Sequence, residues 1–311
     1  MRHYKNRLFR FCCVISVFLC ANLQARDLVI AFENTLQPST SLDAKARSQM
    51  LVRNLANAQA PQAMFLVKTY GLTPKDEARL GIYSDAGHLL VNAGHGQSLL
   101  SRPDLYAFEI GILKANKILE PYAGYKKHVH FSYLHEFGDK ALQKGLIDFL
   151  RERDYHPAFT GVNALCGADA YLDQLYQAKI LNNRRVDIVQ LEKAYVDLVM
   201  EALNQQDALA FNLLGYSPIQ ALVLQENDLA AYFIAAVIER LDKDRWTLIA
   251  AERALNDPVA NPIMVNGFGA NGYLNSITGL ADDPIAYARV LGKKQAQVDS
   301  FLRLRAPDLM Q

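Results

Sequence analysis

Side chains that could hold a metal or move a proton gather at a few places in this chain. His88 and His95 flank the apolar run 89–91, and His128, His130, His135 and Glu136 crowd around another at 129–131. Imidazole with carboxylate is suitable ligand chemistry for a zinc-type ion, and His128 and His130, two residues apart, would share one side of a strand. The spacing matches no recognised metal motif, so histidines that bond to loops are the competing reading. Glu33 follows the apolar run 27–32 and could act as a base, whereas Gln225, which follows 219–224, exchanges no proton near neutral pH. Gly267, Gly269 and Gly272 spell G-x-G-x-x-G, but no clear strand precedes them, which favours a glycine-rich turn over a nucleotide site.

The elements that must position these groups alternate. Apolar runs at 27–32, 64–67, 89–91, 129–131, 158–162, 219–224 and 246–249 read as strands. Between them, 42–58, a helix opened by Thr73, Pro74 and Asp76, another opened by Ser101, Pro103 and Asp104 and running to 119, then 141–153, 187–203 and 229–241 read as helices. Strand and helix in turn imply a parallel sheet, most simply closed as a barrel, with an open doubly wound sheet as the alternative. In a barrel the polar residues that end each strand form the site. Those are Glu33 and Asn34, residues 92–97, 130–136, 161–163 and 225–228; strand ends that are polar merely because they meet water are the plainer reading.

Composition narrows the partners. With 33 basic and 32 acidic residues in 311, and 51% hydrophobic residues, the chain has a large core and no polybasic block, which argues against nucleic acid. Arg2, Lys5, Arg7 and Arg10 precede an apolar run, 11–21, which is too short to span a bilayer and reads as a secretory signal peptide over 1–25. A lipid anchor through Cys20 is the poorer alternative, because Leu19 is bulky. Removal of 1–25 would take Cys12, Cys13 and Cys20 and leave Cys166 as a lone thiol, more often a buried small hydrophobe than a nucleophile. One domain, 26–311, is expected, periplasmic or secreted and without a membrane span, with a loop-rich tail from about 256 that ends in a helix near 284–302.

The order and wording of four segments resemble the polysaccharide deacetylase family of secreted metal-dependent amide hydrolases. Val29-Ile30-Ala31-Phe32-Glu33-Asn34 is similar to the family's opening strand, which usually ends Thr-Phe-Asp-Asp. The stretch Gly87-His88-Leu89-Leu90-Val91-Asn92-Ala93-Gly94-His95-Gly96-Gln97 is similar to its Gly-His-x-Ile-x-Asn-His-x-x-x-His segment. Phe131-Ser132-Tyr133-Leu134-His135-Glu136 resembles an aromatic-Pro-Phe-Leu-His-Glu segment that normally follows Phe-Arg, and Leu222-Val223-Leu224-Gln225-Glu226-Asn227 resembles the final Leu-Leu-Leu-His-x-Asn.

The resemblance implies a distorted (β/α) barrel, closed or incomplete, and assigns the roles. Glu33 stands where the family has its base, His130 where an Arg orients that base, and Gln225 where a His protonates the leaving amine. Asn34, Ala93 and Gln97 stand at the metal-binding places, and Asn34, Asn92, Gln97, His135 and Glu136 would line the cleft. Ala93 has no ligand atom and amide oxygens bind such ions weakly, so no metal or other cofactor is expected. The reading is an inactive deacetylase-like protein that binds a polysaccharide or peptidoglycan-type glycan, or an envelope protein, in the former active-site cleft. Two alternatives stand beside it: an amide or ester hydrolase with zinc or another divalent metal held by a rearranged set, and a protein-interaction scaffold.

Overall fold

The computed structural model describes residues 26–96, 104–130, 140–158, 165, 167–256 and 296–310. The expected signal peptide, the glycine-rich run at 267–272, Cys166, and most of the expected tail lie outside them.

The alternation read from the sequence is the architecture. β1 (Arg26–Glu33), α1 (Ala44–Asn57), β2 (Met64–Val67), α2 (Pro74–Asp85), β3 (Leu89–Asn92), α3 (Leu105–Leu119), β4 (Tyr125–Val129), α4 (Lys140–Glu152) and β5 (His156–Pro157) follow one another. After them come α5 (Ala168–Leu181), α6 (Ile188–Leu214), β6 (Gln220–Gln225), α7 (Asp228–Lys243), β7 (Trp246–Leu248) and α8 (Ala251–Leu255), and residues 296–305 are helical. All pairings are parallel, in the order β5-β4-β3-β2-β1-β6, with β7 alongside the first residues of β1. Five strands step along the sheet in chain order and the sixth returns to pair with the first. That is the circuit of a (β/α) barrel, open between β5 and β6 among the described residues, rather than of a doubly wound sheet whose order reverses. The distorted, incomplete barrel is therefore the observed form.

Local chemistry starts the helices where the sequence indicates. Thr73 and Asp76 form a reciprocal capping box with Pro74 at the first position of α2, and the Asp104 carboxylate accepts from the Tyr106 amide to open α3. Gly124 is required by crowding: a Cβ there would lie 2.3 Å from the His88 carbonyl oxygen, and this close approach lets Leu90 donate to the Gly124 carbonyl as β4 joins β3.

Alternate strand residues divide between two cores. Leu28, Ile30, Phe32, Phe65, Leu90, Leu222 and Leu224 pack on the helix layer of α1, α5, α6 and α7. Val29, Ala31, Met64, Leu66, Leu89, Val91, Ala221 and Val223 fill the barrel interior against Ile249 and α8.

α6 runs on to Leu214, past its expected end at 203, α8 was not anticipated, and three further elements differ from expectation. α5 was not anticipated, because its buried stripe includes Asp169, Asp173 and Lys179 beside Leu172 and Tyr176, which hides a helical period from any hydrophobicity count. β4 begins four residues before the expected start, since Lys126 and Lys127 are exposed and the strand shows no apolar alternation. β5 is two residues long and ends before 158–162, of which only Ala158 is described.

Candidate functional site

Following the strand alternation to the carboxyl ends, and one step past them in β2 and β3, decides which side chains enter the barrel mouth. Glu33 extends the inward series of Val29 and Ala31, Gln225 that of Ala221 and Val223, Ala93 that of Leu89 and Val91, and Lys68 that of Met64 and Leu66. Asn92 belongs to the outward series. It is fully buried, its amide Nδ2 donates to the Ile112 carbonyl of α3 at 3.0 Å, and its Oδ1 accepts from the Gly94 amide at 2.8 Å. The structure thus places Asn92 behind the mouth, as the bolt between β3, α3 and the turn that follows. Substituting alanine should lower unfolding stability by about 1–3 kcal/mol, because Ile112 and Gly94 lose their partner. Urea unfolding measures this; lost ligand affinity at unchanged stability would put Asn92 in the cleft instead.

Glu33 and Gln225 are register partners across β1 and β6. The Gln225 Nε2 donates to the Glu33 carboxylate at 2.5 Å, and its Oε1 accepts from Asn34 Nδ2 at 2.6 Å. Asn34 reaches this position because its backbone is left-handed, with φ 48°, a conformation asparagine tolerates better than most residues. One amide therefore joins three of the residues singled out from the sequence.

A fourth group in this set has no precedent in the sequence reading. The Gln225 backbone amide donates to the Asp169 carboxylate at 2.6 Å. Asp169 is buried at the start of α5, and burial, with the nearby charge of Glu33, pushes its carboxyl up to about 7 against the pull of the Gln225 N–H. Its Oδ1 and the buried Tyr195 hydroxyl have no hydrogen-bond partner among the described residues. The only sequence signal was an acidic residue just after Gly167, at the start of an unrecognised helix.

Behind the mouth lies a buried ionic cluster. Glu226 accepts from Arg47 Nε at 3.1 Å and from Arg79 at 2.9 Å, and Asp228 accepts from Arg47 at 3.1 Å; all four side chains are within 2% of complete burial. The cluster holds the loop after β1. Glu226 also takes the Leu36 and Gln37 amides, the two guanidiniums donate to the Gln37 and Pro38 carbonyls, and Asp228 accepts from Thr40, Ser41 and the Leu42 amide. Asn34 thus leads into a loop whose far side is fixed by charge-assisted bonds.

The histidines are spread out. His130 is buried beyond the end of β4, its backbone amide bonded to the Asn92 carbonyl, and burial, reinforced by the Lys68 ammonium, lowers its imidazole to about 3. His128 is held at about 4 by burial and by His156, whose ring centroid is 5.7 Å away. His88 accepts from the Ala63 amide and burial lowers it to about 4, while His95 bonds to the Thr69 hydroxyl. Among the described residues no three His, Cys, Asp or Glu side chains are grouped to hold a metal. Gln97, His135 and Glu136 lie outside those residues. A divalent ion at the places the resemblance assigns would meet the Asn34 amide, already bonded to Gln225, and the methyl group of Ala93. That donor set does not fit a zinc-type ion.

No family profile and no curated protein sequence matches the chain. Solved structures do. A mutant of a CE4 family pseudoenzyme from Bacillus anthracis, with restored enzymatic activity, superposes with a TM-score of 0.50 at 8% identity over 75% of this chain and 68% of that one. A mutant peptidoglycan deacetylase from Bacillus subtilis gives 0.46 at 14% identity over 75% and 90%, and a family 4 carbohydrate esterase from Streptomyces lividans gives 0.44 at 12% over 74% and 92%. At these identities the likeness is one of fold, and the first of the three carries it.

Proposed function

We propose that this chain, built on the CE4 fold, is an exported protein without hydrolytic activity that binds a polysaccharide or peptidoglycan-type glycan in the barrel mouth. The observation that carries the reading is the Gln225 amide bonded to Glu33 on one side and Asn34 on the other. A proton acid is needed where Gln225 stands if an amide nitrogen is to leave, and a carboxamide cannot supply that proton near neutral pH. One oxygen of the carboxylate that would act as base accepts from the same amide. What remains is a row of donors and acceptors at the mouth of an apolar barrel, suited to sugar hydroxyl and acetamido groups. Export rests on the basic and apolar order of residues 1–25.

Calorimetric titration with N-acetylglucosamine oligomers and peptidoglycan fragments tests binding, with elemental analysis and an acetate assay after purification in zinc or cobalt. Saturable binding is expected, weakened roughly tenfold in Asn34→Gly, which keeps the left-handed turn and deletes the amide. Metal should be well below one per chain, and no acetate should appear. Equimolar metal with acetate release abolished by Glu33→Gln would establish the hydrolase instead. A folded protein that binds none of these glycans would leave the mouth to an envelope protein.

A further inference from the structure

Where β5 pairs with β4, two imidazoles lie side by side that take no part in the bonds around Gln225. His128 and His156 are register partners across the two strands, with ring centroids 5.7 Å apart. Both belong to the face opposite Val129, which packs against Ile112 and Leu146. The neighbouring Lys127 ammonium is turned instead to the Arg153 carbonyl, at 3.2 Å, and to the Tyr155 ring. Each imidazole is supported through one nitrogen. The Pro157 carbonyl accepts a hydrogen bond from the His128 ring, and the His128 Nδ1 is buried with no partner among the described residues. The proton of that ring therefore sits on Nε2, and the Nδ1 lone pair is left over. On the other ring, His156 Nε2 faces the Asp154 carboxylate at 3.5 Å. A carbonyl or carboxylate behind one ring nitrogen is what a metal-binding histidine ordinarily has, because it fixes the tautomer and the ring plane. Burial, with His156 alongside, lowers the His128 imidazole to about 4, so at neutral pH it is uncharged, as a ligand must be.

We infer that His128 and His156 bind a copper(II) ion between their rings. An ion held at about 2.0–2.1 Å from one nitrogen of each imidazole sets the ring centroids about 5–6 Å apart, and the observed 5.7 Å falls within that range. Two nitrogens are too few for a zinc site, which takes about three protein ligands. Copper(II) stands highest in the affinity order of the divalent ions and favours a tetragonal set of nitrogen and oxygen donors. Water can complete that set from the open side, because the His156 side chain is 59% exposed and that of Asp154 83%. The inference stands apart from the glycan reading, since neither histidine touches Glu33, Asn34 or Gln225.

Equilibrium dialysis of the full chain against micromolar copper(II), with electron paramagnetic resonance of the bound ion, tests the assignment. His128→Gln and His156→Gln are compared with wild type, so copper taken up elsewhere on the chain cancels. Each variant should hold one copper fewer than wild type, and the imidazole nitrogen couplings of that copper should vanish from the spectrum. Copper should also raise the thermal unfolding midpoint of wild type more than that of either variant, because the ion ties β4 to β5. Zinc and cobalt, lower in the affinity order, should be retained far less, and glycan binding should be the same in all three proteins. His156 is largely exposed, so His156→Gln carries the test even if His128→Gln fails to fold. Equal copper in all three proteins, or a loss in only one of two folded variants, would overturn the inference.

Discussion

Replacing Glu226 by alanine should cost about 3–5 kcal/mol of unfolding stability, a large share of the 5–15 kcal/mol that a domain of ordinary stability has. Its two oxygens receive both Arg47 and Arg79 together with the Leu36 and Gln37 amides, and its side chain is fully buried. The loss of one carboxylate leaves two guanidiniums short of their counter-charge in a place water does not reach. Asp228 still holds Arg47, but Arg79 keeps only Asp76, at 3.5 Å and partly exposed, as an ionic partner. Glu226→Gln should fall between, since one end of the amide still accepts while the other end turns a donor towards donors. Urea unfolding of the three proteins gives the order; a loss below about 1 kcal/mol for alanine would mean the cluster is not the anchor described here. Glycan affinity should drop with stability, because the loop that follows Asn34 hangs on the same carboxylate.

The second large effect is a pH dependence that Asp169 imposes. Its carboxyl titrates near 7 in the folded protein, against 3.8 for an aspartate in a solvated chain. Between those values the native state holds a proton that the unfolded state has released, so the contribution of this residue to stability declines as pH rises from about 4 to about 7 and is flat above. Over that window the change is about 4 kcal/mol at most. Asp173, pushed up to about 6 by burial, acts in the same direction. The lowered imidazoles of His88, His128 and His130 act in the opposite one, because the unfolded state takes up protons first as pH falls. The wild-type curve is therefore a sum, and the difference between wild type and Asp169→Asn isolates the term. The asparagine oxygen can still accept from the Gln225 amide, and its nitrogen brings a donor where Oδ1 now lacks a partner. The variant should be more stable than wild type at pH 8 and lose that advantage towards pH 4; parallel denaturation curves at all pH values would refute the assignment.

Much of the site can be read from period and position once the strands are located. The alternation that puts Val91 in the barrel puts Asn92 outside it and Ala93 inside, so the asparagine that looked like a cleft residue is a structural bolt. The same rule identifies Lys68, which no motif marks. Glu33, Asn34 and Gln225 were legible because strand ends carry barrel chemistry and because the wording around them resembles a known family. Asp169 was not, because a carboxylate on the buried face of a helix is invisible to a hydrophobic period, and its role depends on a backbone amide 56 residues away. The ionic cluster was legible only by half: Glu226 and Asp228 stand in the strand-end stretch 225–228, but nothing in the sequence marks Arg47 and Arg79 as their partners until α1 and α2 are folded against it.

The amide that ties Asn34 to Glu33 also bears on how such a chain evolves. An aspartate at position 34 would set a second carboxylate against the Gln225 oxygen that now accepts from the Asn34 amide. A histidine at position 93 alone would bring one imidazole to a mouth where the Glu33 carboxylate is already bonded to Gln225. Neither substitution alone assembles a donor set for an ion, so on the proposed reading several positions would have to change together before the mouth could hold a metal.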